Sequence, residues 1–143
     1  MTHLAGIHPD DTNHVWDKVL PMVESAIEYS NGEYTADYLL DCIHSSDAQL
    51  WVGHEQGHIR YVCITSVETF KATGATILKI LLLAGNGIDD WLDSNLPELE
   101  SWAIDNGATA IWNYGRSGWE RKLRPHGFRK VSTVMAKELT GKH

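Results

Sequence analysis

The residues from Thr76 to Ile88 have the sequence TILKILLLAGNGI. The first nine, Thr76–Ala84, are mostly apolar at positions that face both sides of an extended chain, as in a central buried strand. Gly85-Asn86-Gly87 then ends the strand, and apolar residues recur at helical spacing from Ile88 onward. This segment therefore predicts a buried β-strand, a glycine turn and an α-helix in succession.

The glycine turn has a composition that suits anion binding. Glycine tolerates the backbone angles that direct several N–H groups toward one point, and the first turn of the following helix adds unpaired N–H donors. Such a turn can hold a pyrophosphate. An ordinary strand-to-helix connection is the alternative, because two glycines alone are not specific for anion binding.

The sequence before this segment predicts a strand, two helices and a β-hairpin. Apolar residues at helical spacing predict the first helix, which Pro21 is expected to kink or split. Thr35 is a suitable N-cap for the second helix. The hairpin strands are rich in β-branched and aromatic residues on either side of Gln56-Gly57. The five elements are expected at residues 4–7, 15–27, 36–42, 49–52 and 59–67.

The sequence after the glycine turn predicts a helix to Ile104, a strand at 108–112, a short helix at 119–123 and an extended segment at 128–139 with one or two strands. The order β-α-α-β-β-β-α-β-α-β predicts an α/β fold. Its sheet is expected to be mixed and mostly antiparallel, with helices on both faces.

The composition indicates a single globular domain spanning residues 1–143, because 143 residues suit one hydrophobic core. A formal net charge of −7 argues against a nucleic-acid-binding protein. We expect no membrane segment and no metal site, and we expect a cytoplasmic location, since no signal sequence is evident and only two cysteines are present.

Charge is distributed unevenly along the chain. Residues 1–60 carry ten acidic and two basic side chains, whereas residues 116–143 carry two acidic and eight basic side chains. A concentrated basic segment can bind a compact anion such as a nucleotide or phosphate. The alternative is a solvated face that offsets the acidic half of the chain.

These features together resemble the GNAT superfamily of N-acetyltransferases over nearly the whole chain. The segments LPELESWA at 96–103 and YGRSGWERKL at 114–123, followed by Gly127-Phe128, look most like a small group of bacteriophage-encoded GNAT-like proteins. The resemblance implies a GNAT-like domain, a phage origin and a host-cytoplasmic location. It also implies that the chain can form a homodimer.

The resemblance further implies acetyl-CoA, or another acyl-CoA, as cofactor. In that family the strand before the turn hydrogen-bonds the pantetheine arm, which assigns Leu81 and Leu83, and the turn Gly85-Asn86-Gly87 holds the pyrophosphate. The sequence departs from the family pattern at three positions. The asparagine often found on the last helix falls near Arg116, and the other two positions are leucines. Leu82 stands where the family has Gln or Arg, and Leu123 stands where it has the usual tyrosine acid.

Other residues can take over the missing roles. Tyr114 follows the strand next to the cofactor strand and can supply a proton, unless it only packs at the strand end. Glu68 can act as a base through water, unless it is an ordinary surface carboxylate. Three arginines can neutralise CoA phosphates, or else bind acidic patches of a partner or of this chain: Arg116, Arg121 and Arg124.

Two functions are consistent with the sequence. The first is an acetyl-CoA-dependent N-acyltransferase that acts on an amine of a small molecule or protein by direct attack in a ternary complex. The acidic residues Glu33, Asp37 and Asp41 favour a cationic acceptor. The second is a catalytically degenerate GNAT-like protein that binds a host or virion protein. An open groove beside the central strand favours the enzyme, and a groove filled by Trp112 and Trp119 favours the binding protein.

Overall fold

The computed structural model describes residues 2–28, 32–114 and 118–139. The fold is built on a five-stranded sheet in the order β1-β2-β3-β4-β5. Strands β1 to β4 pair with one another antiparallel, and β4 pairs with β5 parallel. The strands span His3–Ile7 (β1), Gln49–Glu55 (β2), His58–Thr69 (β3), Thr76–Gly85 (β4) and Ala110–Asn113 (β5). The predicted mixed and mostly antiparallel sheet is therefore confirmed.

The helices begin and end close to the predicted positions. Helix α1 (Thr12–Ile27) precedes α2 (Ala36–His44), and the Thr35 hydroxyl accepts a hydrogen bond from the Tyr38 N–H as the predicted N-cap. Helix α3 (Ile88–Asp90) continues through a π-helical turn, Trp91–Asn95, into α4 (Leu96–Asp105). A short helix, α5 (Gly118–Leu123), follows β5.

The expectation that Pro21 splits the first helix is wrong, because α1 continues through it. A proline inside a helix leaves the carbonyl four residues earlier without its N–H donor. Pro21 and Asp17 are both exposed, so water can satisfy that carbonyl.

Helices cover both faces of the sheet. One apolar cluster joins Trp51, Cys63 and Leu78 to the π-helical turn and α4. The other joins Leu50 and Ile64 to α1 and α2. Strands β3 and β4 contribute side chains to both clusters, which is why their sequences are apolar on both faces.

An extra residue in β4 marks the place where the sheet opens. Ile64 of β3 pairs with Leu82, and Thr65 pairs with Ile80, so Leu81 has no partner in β3. Such a bulge reverses the alternation of side chains. Leu81 and Leu82 accordingly both pack with the α1–α2 cluster, while Leu83 packs with the opposite one.

The last predicted strand is not formed. Residues 128–139 contain no strand, and the side chains of Val131, Val134, Met135 and Leu139 are at least half exposed. Strand propensity alone does not create a strand without a pairing partner. Within the described ranges, no helix combines the length and the apolar character that crossing a bilayer requires.

Candidate functional site

The structure opens a groove between β4 and β5. The two strands pair only from Ile77 to Ile80 on β4, and the Tyr114 N–H makes a last, long contact of 3.5 Å with the Ile80 carbonyl oxygen. Beyond that point Leu81–Leu83 lines one side of a groove of about 1640 Å³, and residues 110–114 line the other. The β4 backbone in this groove has no β5 partner among the described residues, so it can hydrogen-bond an extended ligand.

Strand β4 continues from the groove lining at Leu83 into the glycine turn. Gly85 has a φ of +120°, and a Cβ at this position would come within 2.5 Å of the Arg60 carbonyl oxygen. Glycine is therefore required by backbone conformation and by close packing. Gly87 also has a positive φ, +79°, and precedes the first turn of α3 as its N-cap residue. Asn86 is fixed because its N–H donates to the Arg60 carbonyl oxygen at 2.8 Å.

Two cationic side chains that were not assigned to the cofactor site from the sequence lie near this turn. The Arg60 guanidinium is 3.8 Å from the point that a Cβ of Gly87 would occupy. Lys122 Nζ lies 3.7 Å from Asp89 Oδ1 in the first turn of α3. The antiparallel register of β3 and β4 was the available signal for Arg60, since it places the start of β3 opposite the end of β4.

The predicted arginine cluster lies elsewhere. Arg121 and Arg124 line a shallow recess with Glu120 and Pro125. Arg124 pairs with Glu120, and Lys130 Nζ is 3.3 Å from the same carboxylate. The hydrogen bond and charge of Lys130, followed by the charge of Arg124, lower the pKa of Glu120. Arg116, the third predicted arginine, lies outside the described residues.

The two predicted catalytic residues, Glu68 and Tyr114, both contact the side chain of Lys79. Lys79 Nζ lies 3.6 Å from Glu68 Oε2 and 4.3 Å from the centre of the Tyr114 ring. Tyr114 also contacts Trp112, whose ring centre is 6.3 Å away. Tyr114 is 43% exposed, so its phenol is accessible at the groove.

Tyr34 and Glu33 lie where the groove reaches the connection between α1 and α2. Burial, followed by the charge of Glu33 and the proximity of Tyr38, Tyr114 and Glu68, raises the pKa of Tyr34. These groups therefore share one electrostatic environment. The predicted acidic residues Asp37 and Asp41 lie on α2 and are exposed.

Solved structures with the same architecture are acetyltransferases. A ribosomal-protein-alanine N-acetyltransferase from Brucella melitensis biovar Abortus 2308 superposes with a TM-score of 0.68 at 12% identity, covering 97% of this chain and 99% of that chain. An aminoglycoside acetyltransferase from an uncultured soil metagenomic sample has a TM-score of 0.73 at 12% identity, covering 97% and 99%. Glucosamine-6-phosphate N-acetyltransferase from Arabidopsis thaliana has a TM-score of 0.66 at 15% identity, covering 96% and 98%.

The chain has the GNAT fold. No protein-family model matches the sequence, and no curated protein is similar to it in sequence. Identities of 12–15% establish the fold, and the activity has to be argued from the site itself.

The two leucines that depart from the GNAT pattern, Leu82 and Leu123, are buried. Leu82 is 7% exposed and packs with the α1–α2 cluster, and Leu123 is 5% exposed in the opposite cluster. Both leucines line the groove, but neither side chain offers a polar group to a ligand. Among the polar side chains, Tyr114 lines the groove, Lys79 contacts both Tyr114 and Glu68, and Arg60 lies beside the glycine turn.

The groove of this GNAT fold is open. Trp112 and Trp119 line it without filling it, and residues 126–134 of the C-terminal segment form another part of its lining. Trp112 packs on Phe70 with ring centres 5.4 Å apart, and Trp119 packs against the core cluster that contains α4. From the sequence, an open groove was expected to favour an enzyme over a binding protein. The observed groove therefore favours the enzyme.

The remaining residue types that could act as nucleophiles or metal ligands are cysteine and histidine. Cys63 is buried, and burial raises the pKa of its thiol to about 12, so it is unsuited to act as a nucleophile at neutral pH. The His54 ring lies 5.7 Å from that of His3 on the neighbouring strand. Among the described residues, no three His, Cys, Asp or Glu side chains are grouped closely enough to hold a metal ion.

Proposed function

We propose that the protein is an acetyl-CoA-dependent N-acyltransferase that acts on an amine of a small molecule or protein. One observation carries this proposal: the unpaired edge of β4 at Leu81–Leu83 opens into a groove and continues directly into the turn Gly85-Asn86-Gly87. A pantetheine arm can hydrogen-bond to an extended backbone edge, and a pyrophosphate needs a turn whose backbone can approach it closely. The resemblance and the GNAT fold both favour acetyl-CoA, or another acyl-CoA, as the ligand.

The residues present fit this cofactor. Backbone groups of Leu81 and Leu83 would hold the pantetheine arm, and Gly85, Asn86 and Gly87 would surround the pyrophosphate. A Cβ at Gly87 would make ordinary van der Waals contact with the Arg60 side chain, at 3.8 Å from Nη2, so Arg60 borders this side of the turn. When bound, acetyl-CoA supplies an acyl group activated as a thioester.

Glu68 and Tyr114 are the proposed proton-transfer residues. Glu68 would accept the proton of the acceptor amine through water, because a protonated amine is not nucleophilic. The exposed Tyr114 phenol would donate a proton to the thiolate that leaves. Lys79 contacts both side chains and would keep them in place. Arg121 and Arg124 are proposed phosphate contacts in the recess that adjoins the groove at Glu120.

The proposed acceptor is a cationic amine. Glu33 and Tyr34 line the groove near the α1–α2 connection, and Glu68 affects the Tyr34 phenol electrostatically. Carboxylates beside aromatic rings attract a protonated amine by charge and by cation–π interaction. Direct attack by that amine, in a complex that also holds acetyl-CoA, completes the proposed reaction in the cytoplasm.

The test is calorimetric titration of the full chain with acetyl-CoA, followed by CoA-release assays with a panel of primary amines and polyamines. We expect saturable binding and release of CoA with at least one amine. Glu68→Gln should retain binding and lose CoA release, because glutamine keeps the shape but cannot accept the proton. Absence of binding at millimolar acetyl-CoA would overturn the proposed function.

A second candidate function is binding to a host or virion protein, as the resemblance to phage-encoded proteins suggests. The observation that favours it is the exposed apolar segment with Val131, Val134, Met135 and Leu139. Exposed apolar patches commonly mark interaction surfaces, including those between two copies of a chain. A protein that fails to bind acetyl-CoA, yet loses a partner or its own dimer on truncation after residue 127, would favour this function.

A further inference from the structure

We propose that Arg60 is the main cationic contact for the cofactor pyrophosphate, and that it acts across the strand pair from the turn that holds this group. The inference rests on the proposed function. It assigns a residue that lies far from the turn in sequence and outside the basic C-terminal segment.

The turn itself has no cation. Residues 80–88 have the sequence ILLLAGNGI, and the next two residues are Asp89 and Asp90. A pyrophosphate placed there meets two carboxylates in the first helical turn, and Lys122 is paired to one of them. A positive charge from another part of the fold would therefore strengthen pyrophosphate binding beside Gly87.

The β3–β4 register brings Arg60 to this position. Tyr61 is opposite Gly85, and the Asn86 N–H donates to the Arg60 carbonyl oxygen at 2.8 Å. The backbone of Arg60 is thus fixed to the turn by the sheet. Movement of one relative to the other would require breaking the end of the β3–β4 ladder.

The Arg60 side chain lies against the turn. Its Nη2 is 3.8 Å and its Cβ 3.9 Å from the Cβ point of Gly87, and apart from Gly87 and its two chain neighbours no other described residue has an atom within 4 Å of that point. Arg60 Nη1 lies 2.8 Å from Glu55 Oε1, while 40% of the side chain remains exposed. Guanidinium has five N–H donors, so it can keep the Glu55 contact and still donate to a phosphate oxygen.

The competing assignment is Arg121 and Arg124. These two side chains line the separate recess, where Glu120 already pairs with Arg124. The structure therefore distinguishes the two assignments by position, and variants can test which one binds the pyrophosphate.

The experiment measures the Kd of acetyl-CoA and of dephospho-CoA by calorimetry for the wild type, Arg60→Gln, Arg60→Lys and Arg121→Gln/Arg124→Gln. Lys18→Gln, an exposed change on α1, is the matched control for lost charge. Arg60→Gln should raise the Kd of both ligands by about tenfold or more, and by the same factor, because both contain the pyrophosphate. Arg60→Lys should recover part of the affinity, and raised salt should reduce the effect.

The contrary outcomes separate failure of this inference from failure of the proposed function. Equal affinity of wild type and Arg60→Gln would overturn the inference while leaving the proposed function intact. A loss of affinity confined to acetyl-CoA would also overturn the inference, because it would place Arg60 at the 3′-phosphate. A larger loss of affinity in the Arg121→Gln/Arg124→Gln variant would overturn it as well. No binding by the wild type would instead overturn the proposed function. Unchanged thermal unfolding of Arg60→Gln excludes a folding defect as the cause of weaker binding.

Discussion

The ammonium group of Lys79 lies 4.3 Å from the centre of the Tyr114 ring. The same Nζ is 3.6 Å from Glu68 Oε2, so one cation contacts both proposed proton-transfer residues. The three residues come from β3, β4 and the end of β5. A cation shared between a carboxylate and an aromatic face restricts the positions of both.

Replacement of Lys79 by Met should lower kcat about tenfold, because Glu68 and Tyr114 lose their shared contact while the aliphatic stem is kept. The Kd of acetyl-CoA should not change, since Lys79 is remote from the glycine turn. Lys79→Arg should recover much of kcat, because guanidinium also stacks on aromatic rings. Lys71→Met, in the exposed loop after β3, is the control. An unchanged kcat in Lys79→Met would show that the contact has no positioning role.

Replacement of Tyr114 by Phe removes the phenol and keeps the ring that Lys79 contacts. If Tyr114 supplies the proton to the leaving thiolate, kcat should fall about a hundredfold while acetyl-CoA binding is retained. Steady-state CoA release and calorimetry measure the two quantities separately. A variant with wild-type kcat would reduce Tyr114 to a packing residue at the strand end.

Gly85 and Gly74 both have positive φ, but only Gly85 is enclosed. A Cβ on Gly85 would lie 2.5 Å from the Arg60 carbonyl oxygen, whereas a Cβ on Gly74 would meet nothing within 4 Å. Gly74→Ala should therefore lower the free energy of unfolding by about 1 kcal/mol, from backbone strain alone. Gly85→Ala should lower it by about 3 kcal/mol or more, since backbone atoms must move as well.

Denaturant unfolding of the two glycine variants measures this difference. Gly85→Ala should also weaken acetyl-CoA binding, because the turn is displaced. Equal destabilisation in the two variants would mean that the chain around Gly85 relaxes without cost.

Much of the fold was predictable because its strongest signals are local. The apolar run of β4, the glycine turn and the Thr35 cap each depend on a few consecutive residues, and the structure confirms all three. The last strand was not predictable in this way. Residues 128–139 have suitable side chains, but a strand also needs a partner edge, and its pairing is not encoded locally.

The candidate site was less predictable because it depends on register. Tyr114 and Glu68 were proposed from residue type, one from its place just past a strand and the other from its place at the end of a strand. Lys79 and Arg60 were missed, because one occurs inside an apolar strand and the other near a hairpin turn. Only the pairing of β3 with β4, and of β4 with β5, brings Arg60 beside the glycine turn and Lys79 beside Tyr114.

Tyr61 provides a pH-dependent test of the core. Its hydroxyl donates to Asn95 Oδ1 in the π-helical turn, and Asn95 Nδ2 donates to the Thr2 carbonyl oxygen at 3.2 Å. Gly53 leaves room for the Tyr61 ring, since a Cβ there would lie 1.9 Å from it. Tyr61→Phe leaves the buried Asn95 oxygen without its donor, so the free energy of unfolding at neutral pH should fall by about 1–3 kcal/mol.

The effect of Tyr61→Phe should shrink at alkaline pH. Burial, followed by the proximity of Cys63 and Glu98, raises the pKa of Tyr61 above its ordinary value of 10.0. The neutral phenol is therefore favoured in the folded state, and its contribution is complete below pH 10.0. That contribution is lost as pH rises from there toward the folded-state pKa, because the unfolded chain ionises first. Denaturant unfolding of both proteins between neutral and strongly alkaline pH measures the difference. A constant difference across this range would mean that Tyr61 ionises equally easily in both states, contrary to its burial beside Asn95.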